Sequence, residues 1–385
     1  MSIKSTGDFV DTAIASYLTH RINAGDFPSA VYFVAEKGEV GLHGAVGNAV
    51  VTPQQIEAST DIIYDLASLT KVLVTTLLLA RALQDRSLSL DHRLAALLPG
   101  FDVEGKRSIL LRDLLVHTSH LTAWKPLYLL TGDPSGILGE IAGSTADYRK
   151  DEVGYSDLNF IVLGAILEQL GGTTLNHIAR ELFDELGLAS TMFNPEIELH
   201  HRIAASENGN EFEKHTCIEK GYLTERQADA HPFFRQHTIW GEVHDGNAYF
   251  MGGVAGHAGL FSTAGETFEI AQQFLPAYSR VLSPATCQLF RTNFTPGLNE
   301  HRSPGFQLAS SPDSTAGSRM SPESFGHLGF TGTSMWIDPV KERVFILLTN
   351  RTHAHEPPFV NINSVRRAFH DMAVDSLEKR LIATN

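Results

Sequence analysis

Ser68-Leu-Thr-Lys71 places a serine and a lysine three residues apart, directly after the short apolar stretch Ile62 to Leu66. On a helix that opens at Ser68, this spacing stacks the two side chains on one face, one turn apart. A serine hydroxyl is a weak nucleophile until a neighbouring group takes its proton, and a partly buried lysine with a lowered pKa can do so. The helix N-terminus adds backbone N–H groups for a developing oxyanion. Such a pair arises by chance on the order of once in a chain of this length, so it needs company. Gly154-Tyr155-Ser-Asp157 precedes a strongly apolar stretch. Asp157 is placed to cap a helix there, while Tyr155 at the loop-to-helix junction can turn its phenol into a cleft and relay protons beside cations. Gly326-His327-Leu-Gly329-Phe-Thr-Gly332-Thr-Ser334 leads into a strand near the end of the chain. Glycines in a strand mark a bulge or the close approach of another group, which here could be a substrate.

These residues need elements to hold them. Val10, Ile14, Tyr17, Leu18 and Ile22 recur at helical spacing and predict a first helix ending near Asn23-Ala-Gly25. Ala30 to Glu36 and Val40 to Val46 read as two strands joined at Lys37-Gly38, and Phe330 to Ile337 with Val344 to Thr349 as a second hairpin around Asp338-Pro339. Val365, Ala368, Phe369, Met372 and Leu377 then mark a last helix. Between these ends the pattern is mainly helical: 68–83, 109–116, 157–170, 175–186, 264–274 and 283–289. Glu196 to His231 is polar and weakly periodic, which predicts an irregular excursion. The expected fold is α/β, an antiparallel sheet formed by N- and C-terminal strands and flanked by helices, with an inserted mainly helical region. Residues 1–66 plus 300–385 would form the sheet domain and 67–299 the helical region, with the cleft between them.

Composition narrows the function. The 385 residues carry 30 Lys+Arg against 44 Asp+Glu, a formal charge of −14 that argues against nucleic acid or an anionic membrane as partner. The expected partner is a small-molecule or short-peptide substrate. Cys217 and Cys287, far apart, suggest neither a disulfide framework nor a thiolate zinc site. His200-His201 and His353-Ala-His355 come without a carboxylate-bearing ligand set, so no metal and no cofactor is expected. Val72 to Leu83, the most apolar run, is interrupted by Arg81 and reads as a buried helix, not a membrane span. Met1 to Asp8 lacks signal-peptide features, which favours the cytoplasm, or the periplasm if the N-terminus was trimmed.

Taken together, Asp65-Leu-Ala-Ser-Leu-Thr-Lys71, Tyr155-Ser-Asp157 and His327-Leu-Gly329 resemble the S-x-x-K, Y-x-N and K-T-G or H-x-G elements of the serine β-lactamase-related family. That family includes class C β-lactamases, D-Ala-D-Ala peptidases and esterases. Leu114-Leu-Val-His-Thr-Ser-His120 and Gly252 to Thr263 are similar to other recurrent segments of it, and the likeness runs from about Ala30 to Arg351. The resemblance implies Ser68 as acylated nucleophile, Lys71 as its base or electrostatic activator and Tyr155 as second proton-transfer group. It also implies an oxyanion hole from the backbone N–H groups of Ser68 and Phe330, with water as the usual acyl acceptor.

Two departures bear on the substrate. Asp157 stands where penicillin-recognising members carry Asn, and an ionised carboxylate cannot donate to a substrate amide carbonyl; it would pair with Lys71 instead. His327 stands where many β-lactamases have lysine, a weaker anchor for a carboxylate whose charge would change around pH 6.5. The expected activity is therefore an esterase or peptidase/amidase acting by acyl-enzyme chemistry on a less anionic substrate. A β-lactamase or D,D-carboxypeptidase proper is the alternative, and a catalytically quiet scaffold on the same fold is the rival of another class. Folding the second hairpin back brings Asn350 and Arg351 beside Gly329 and Phe330, where Arg351 could take a substrate carboxylate. Trp124 and Tyr128 could wall the cleft. His244, Asp245 and His257 flank the Gly-rich stretch, and satisfied structural roles are expected for both histidines.

Overall fold

The computed structural model describes residues 9–145 and 152–383; the expectation for Met1 to Asp8 falls outside them. In chain order the strands are β1 (Ser29–Glu36), β2 (Glu39–Val50), β3 (Ile56–Glu57), β4 (Tyr64–Asp65), β5 (Met192–Phe193), β6 (Leu260–Ser262), β7 (Gln307–Leu308), β8 (Phe325–Leu328), β9 (Ser334–Asp338) and β10 (Arg343–Thr349). Seven form one sheet in the order β3-β2-β1-β10-β9-β8-β7, antiparallel throughout. The N- and C-terminal segments meet at its centre, where Ala30 pairs with Thr349 and Glu36 with Arg343. Lys37 and Gly38 both take positive φ, 52° and 75°, the conformation that a two-residue hairpin between right-twisted strands requires.

The central strands are apolar on both faces because both faces are covered. Val31, Phe33 and Ala35 of β1, with Val344, Ile346 and Leu348 of β10, face the larger core. Ala30, Tyr32 and Val34, with Phe345, Leu347 and Trp336, face a second core closed by Ile14 and Leu18 of the Thr12–Asn23 helix and by Val365 and Phe369 of the Asn363–Ala383 helix. This is the period of two expected of strands, read from opposite sides. The larger core is shared with the inserted helices, among them Asp157–Gly171 and Leu175–Leu186. A small sheet, β4-β6-β5, lies within that region.

Three sequence expectations change. The stretch after Ser68 is not one regular helix: a 3₁₀ turn at Ala67–Leu69 leads to a π-helical Lys71–Thr76 and an α-helical Leu77–Gln84. By length and composition Ala67–Gln84 could cross a membrane, and 72% of it is buried inside the fold. The strand expected from Phe330 starts at Ser334, because 329–333 forms a turn whose Thr331 and Thr333 hydroxyls donate to the carbonyls of Asp65 and Leu66. The 196–231 excursion contains the helices Glu211–Glu219 and Glu225–Ala230. Their apolar period is hidden because the buried face of the first carries Glu213 beside Cys217.

Candidate active site

The nucleophile candidate sits at a strained corner. Asp65, buried at the end of β4, accepts from the backbone N–H groups of Ala67 (2.8 Å) and His244 (2.8 Å), and burial pushes its pKa up. Ala67 follows with φ +47°, a left-handed conformation that costs a non-glycine residue about 1–3 kcal/mol and is typical of functional corners. The corner turns Ser68 into the first turn of the 3₁₀ segment, where N–H groups have no intrahelical partner.

Lys71 is fully buried, yet its ammonium has a partner for each of its three protons. It donates to Ser68 Oγ at 2.8 Å and to the His257 carbonyl at 3.1 Å, and lies 2.7 Å from Asp157 Oδ1. Burial works against its charge, but Asp157 and Tyr155 outweigh it and hold the pKa above the ordinary lysine value. Its Nζ lies 5.2 Å from the centre of the Tyr155 ring.

Tyr155 and Asp157 are placed by the start of the Asp157–Gly171 helix. The cap is Ser156, not Asp157: Ser156 Oγ accepts from Asn159 N and donates to the Thr122 carbonyl. Asp157, at the first helical position, is thereby free to pair with Lys71. His117 backs the junction, accepting the Ser156 N–H at Nδ1 (3.1 Å) with its ring 4.6 Å from that of Tyr155. Burial, with Arg302, Lys71 and His327 nearby, keeps the His117 pKa well below the usual value, so the ring is a neutral acceptor.

Ser68 lies between two cavities. One, about 470 Å³, is bounded by Tyr155, Asp157, His327 and Phe330 and by Arg302, Arg351 and Arg366. Arg302 is 4% exposed; it donates one Nη2 hydrogen bond to Glu300 (2.9 Å), its Nε and Nη1 have no partner among the described residues, and its guanidinium lies 5.5 Å from the Tyr155 ring centre. Arg351 donates to the carbonyls of Phe330 and Val360, and Arg366 to those of Gly329 and Thr333. Burial, with Arg351 nearby, pushes the Arg366 pKa down to about 9. His327 bonds the Leu328 carbonyl through Nδ1, which leaves Nε2 unpartnered. Burial, reinforced by Lys71 and Arg302, holds its pKa well below the usual range, so the change of charge expected near pH 6.5 does not occur. The other cavity, about 270 Å³, is bounded by Trp124, Phe212, Glu213, His244, Asp245 and Phe330.

Ser68, Lys71, Tyr155, Asp157, His327, Phe330, Arg351 and Trp124 therefore converge as the sequence suggested. Asn350 does not: its amide donates to the Ala49 and Ala205 carbonyls and accepts from Ser29 Oγ, and it is buried behind the cleft. Tyr128 is also behind it, stacked on Phe233 and donating to Glu213. The close approach at Gly329 is made by the chain itself, since a Cβ there would meet Thr333 Oγ1 and lie 2.7 Å from the Leu66 carbonyl. His244 pairs with Glu207 (2.6 Å) and His257 with Asp245 (2.9 Å), so both are bonded; His244 also borders the smaller cavity, and the His257 carbonyl takes a Lys71 proton. Sequence reasoning missed Arg302 and Glu213, which carry no local signal, and the supporting role of His117, which lay inside a quoted family-like segment.

Residues 14–368 match the family described as Beta-lactamase. A relative from Escherichia coli (strain K12) named "Putative D-alanyl-D-alanine carboxypeptidase" is 31% identical over 375 residues, covering 88% of this chain and 81% of its own. Among solved structures, EstCE1, described as a hydrolase with promiscuous acyltransferase activity, superposes with a TM-score of 0.69 at 20% identity over 93% of this chain and 97% of its own. A class C beta lactamase from Rhodobacter sphaeroides gives 0.69 at 17% identity over 97% and 100%. At these identities the two structures show the fold.

Proposed function

Because the chain belongs to the Beta-lactamase family of serine hydrolases, we propose that Ser68 forms an acyl-enzyme which water then hydrolyses, and that the leaving group is an amine or alcohol bearing a carboxylate. The observation that carries the reading is Ser68 Oγ held 2.8 Å from the Lys71 ammonium at the mouth of a cavity with three arginines. With its three protons engaged, Lys71 has no lone pair to offer, so it serves as the electrostatic partner that stabilises the serine alkoxide. Tyr155 relays the proton, receiving it from Ser68 while handing its own to the leaving group, and the sequence reverses when water attacks the ester. The Ser68 and Phe330 N–H groups take the oxyanion. This arrangement speaks against the scaffold reading.

The leaving-group assignment rests on Arg302. A buried guanidinium whose Nε and Nη1 lack partners is costly unless an acceptor arrives, and a carboxylate in the cavity that Arg302 borders would give one of them a charge-assisted hydrogen bond. The preference for less anionic substrates had His327 as its basis; the arginines supply the cations that His327 does not. This favours carboxypeptidase-type chemistry. Asp157, engaged with Lys71, offers no donor to a substrate amide carbonyl, which weighs against efficient β-lactam turnover.

The test is intact-protein mass spectrometry after treatment with a fluorophosphonate. One adduct on Ser68 is expected, with none in Ser68→Ala and no turnover by that variant. Labelling elsewhere, or turnover that survives the substitution, overturns the reading.

A further inference from the structure

The smaller cavity shares the nucleophile with the arginine-lined one but has a different chemistry. Trp124, Phe212 and Phe330 give it aromatic walls; its described carboxylates are Asp157, Glu213 and Asp245, and Lys220 and His244 border it as well. Asp245 is matched: against the cost of burial, the His257 ring at 2.9 Å holds its pKa well below the usual carboxylate range, and Ala248 N donates to it as well. Glu213 is not matched. It is 7% exposed, and its oxygens accept only neutral donors, the Gly246 N–H (2.7 Å) and the Tyr128 hydroxyl (2.9 Å). Among the described residues no cation lies within ion-pair distance of it; Lys214 on the same helix turns instead to Asp229 and Glu211. Burial and the Asp245 charge push its pKa up to about 7. A buried carboxylate of this kind is stabilised by whatever cation enters the space it borders.

Size and shape limit that cation. About 270 Å³ has room for roughly nine water-sized groups at about 30 Å³ each. The aromatic walls suit a flat or aliphatic body, and aromatic faces also tolerate an approaching ammonium. The opposite cavity, with Arg302, would repel a cationic group, so the two sides of Ser68 can tell the ends of a substrate apart.

We propose that this cavity is the acyl-side specificity pocket and that it takes an acyl group with an apolar body, packed between Trp124, Phe212 and Phe330, ending in a primary ammonium seated against Glu213. The proposal rests on the acyl-enzyme reading above and names the acyl half of that substrate. The Glu213 carboxylate is the specificity determinant: His244 acts on it only from a distance, and the ammonium supplies a cation in direct contact.

The test compares p-nitrophenyl esters of 4-(aminomethyl)phenylacetic acid and of its neutral isostere 4-ethylphenylacetic acid, whose acyl groups beyond the carbonyl have nine heavy atoms or their equivalent. The kcat/KM ratio, amine over neutral, should be roughly tenfold to a hundredfold at pH 7.5, the worth of one charge-assisted hydrogen bond. It should fall to about one in Glu213→Gln, whose amide can still bond Gly246 N and the Tyr128 hydroxyl. Thr216→Lys provides a second route, because it places a cation one turn from an intact Glu213 and should lower the ratio as well. A parent ratio near one, with both esters still acylating Ser68, overturns this proposal alone. A high ratio that neither variant reduces overturns the role of Glu213. Absence of any Ser68 adduct from either ester overturns the acyl-enzyme reading, and this proposal with it.

Discussion

Replacing Arg302 by glutamine isolates the charge in the larger cavity. The guanidinium is 4% exposed, and two of its nitrogens have no partner among the described residues, so a substrate carboxylate would form a charge-assisted contact in a largely desolvated place. Truncating one side of such a pair costs about 2–5 kcal/mol. Arg351 and Arg366 remain, although their nitrogens already serve backbone carbonyls, and they should recover part of that cost. Glu300 is not orphaned, because Gln307 Nε2 still donates to it at 2.8 Å. The net loss is then about 2–3 kcal/mol, or roughly 30- to 160-fold in kcat/KM. The assay uses two thioesters of phenylacetic acid, one releasing mercaptoacetate and the other mercaptoacetamide, with the freed thiol read by a chromogenic disulfide. Any general effect of the missing cation over the Tyr155 ring changes both rates and cancels in their ratio. The anionic-to-neutral ratio should therefore fall by the full factor in Arg302→Gln and recover partly in Arg302→Lys, which keeps the charge and loses the guanidinium's geometry. An unchanged ratio would refute the carboxylate assignment whatever happened to the absolute rates.

Lys71→Ala and Tyr155→Phe should each lower kcat by roughly 10²-fold or more while circular dichroism stays unchanged; rates like those of the parent would remove that residue from the mechanism. Asp157→Asn keeps an acceptor for Lys71 but deletes its countercharge, and should cost about 1–3 kcal/mol in urea unfolding at pH 7, less than a dry ion pair because Asp157 is partly exposed. Since the folded pKa of Lys71 is raised, its contribution is fully present below the unfolded value of about 10.4 and is lost as pH rises through the folded one. The gap between parent and variant should accordingly narrow in strong alkali and hold between pH 8 and 6; a gap that closes over that range would contradict the assignment. Because His327 is held neutral, the anionic-to-neutral thioester ratio should be flat from pH 8 to 6 in the parent enzyme, and a rise toward pH 6 would show that the ring titrates after all.

Which parts of the fold could be read beforehand follows from the length of each signal. β1 has seven consecutive buried residues, and its turn has a Gly where positive φ is needed, so strand and hairpin were both visible. The terminal helices showed their core faces at helical spacing. By contrast β4, β5 and β6 have two or three residues each, too few for any period, and they exist only because they pair with distant parts of the chain, Tyr64 with Ser262 and Phe193 with Leu260. Residues 330–333 read as strand because they continue into the strand-compatible run that follows. Its hydroxyls are drawn off by the carbonyls of Asp65 and Leu66, a competition that lies outside the segment itself.

The site divides in the same way, and its chemistry depends on the non-local half. Ser68 and Lys71 are three residues apart, and Arg351 follows from hairpin register, so local geometry reveals them. Whether Lys71 is a base or a cation is not a local question. Ser68 and a lysine one turn later supply one acceptor. Asp157 comes from the start of another helix, and the third acceptor, the His257 carbonyl, lies 186 residues away in the Gly-rich segment before β6. Remove Asp157 or Tyr155 and burial, the largest influence on Lys71, is less opposed and favours the neutral amine with a lone pair for the Ser68 proton. Keep both and the same four-residue motif holds an ammonium. The motif therefore specifies where the nucleophile stands, while the charge that activates it is decided by two oxygens contributed from elsewhere in the fold.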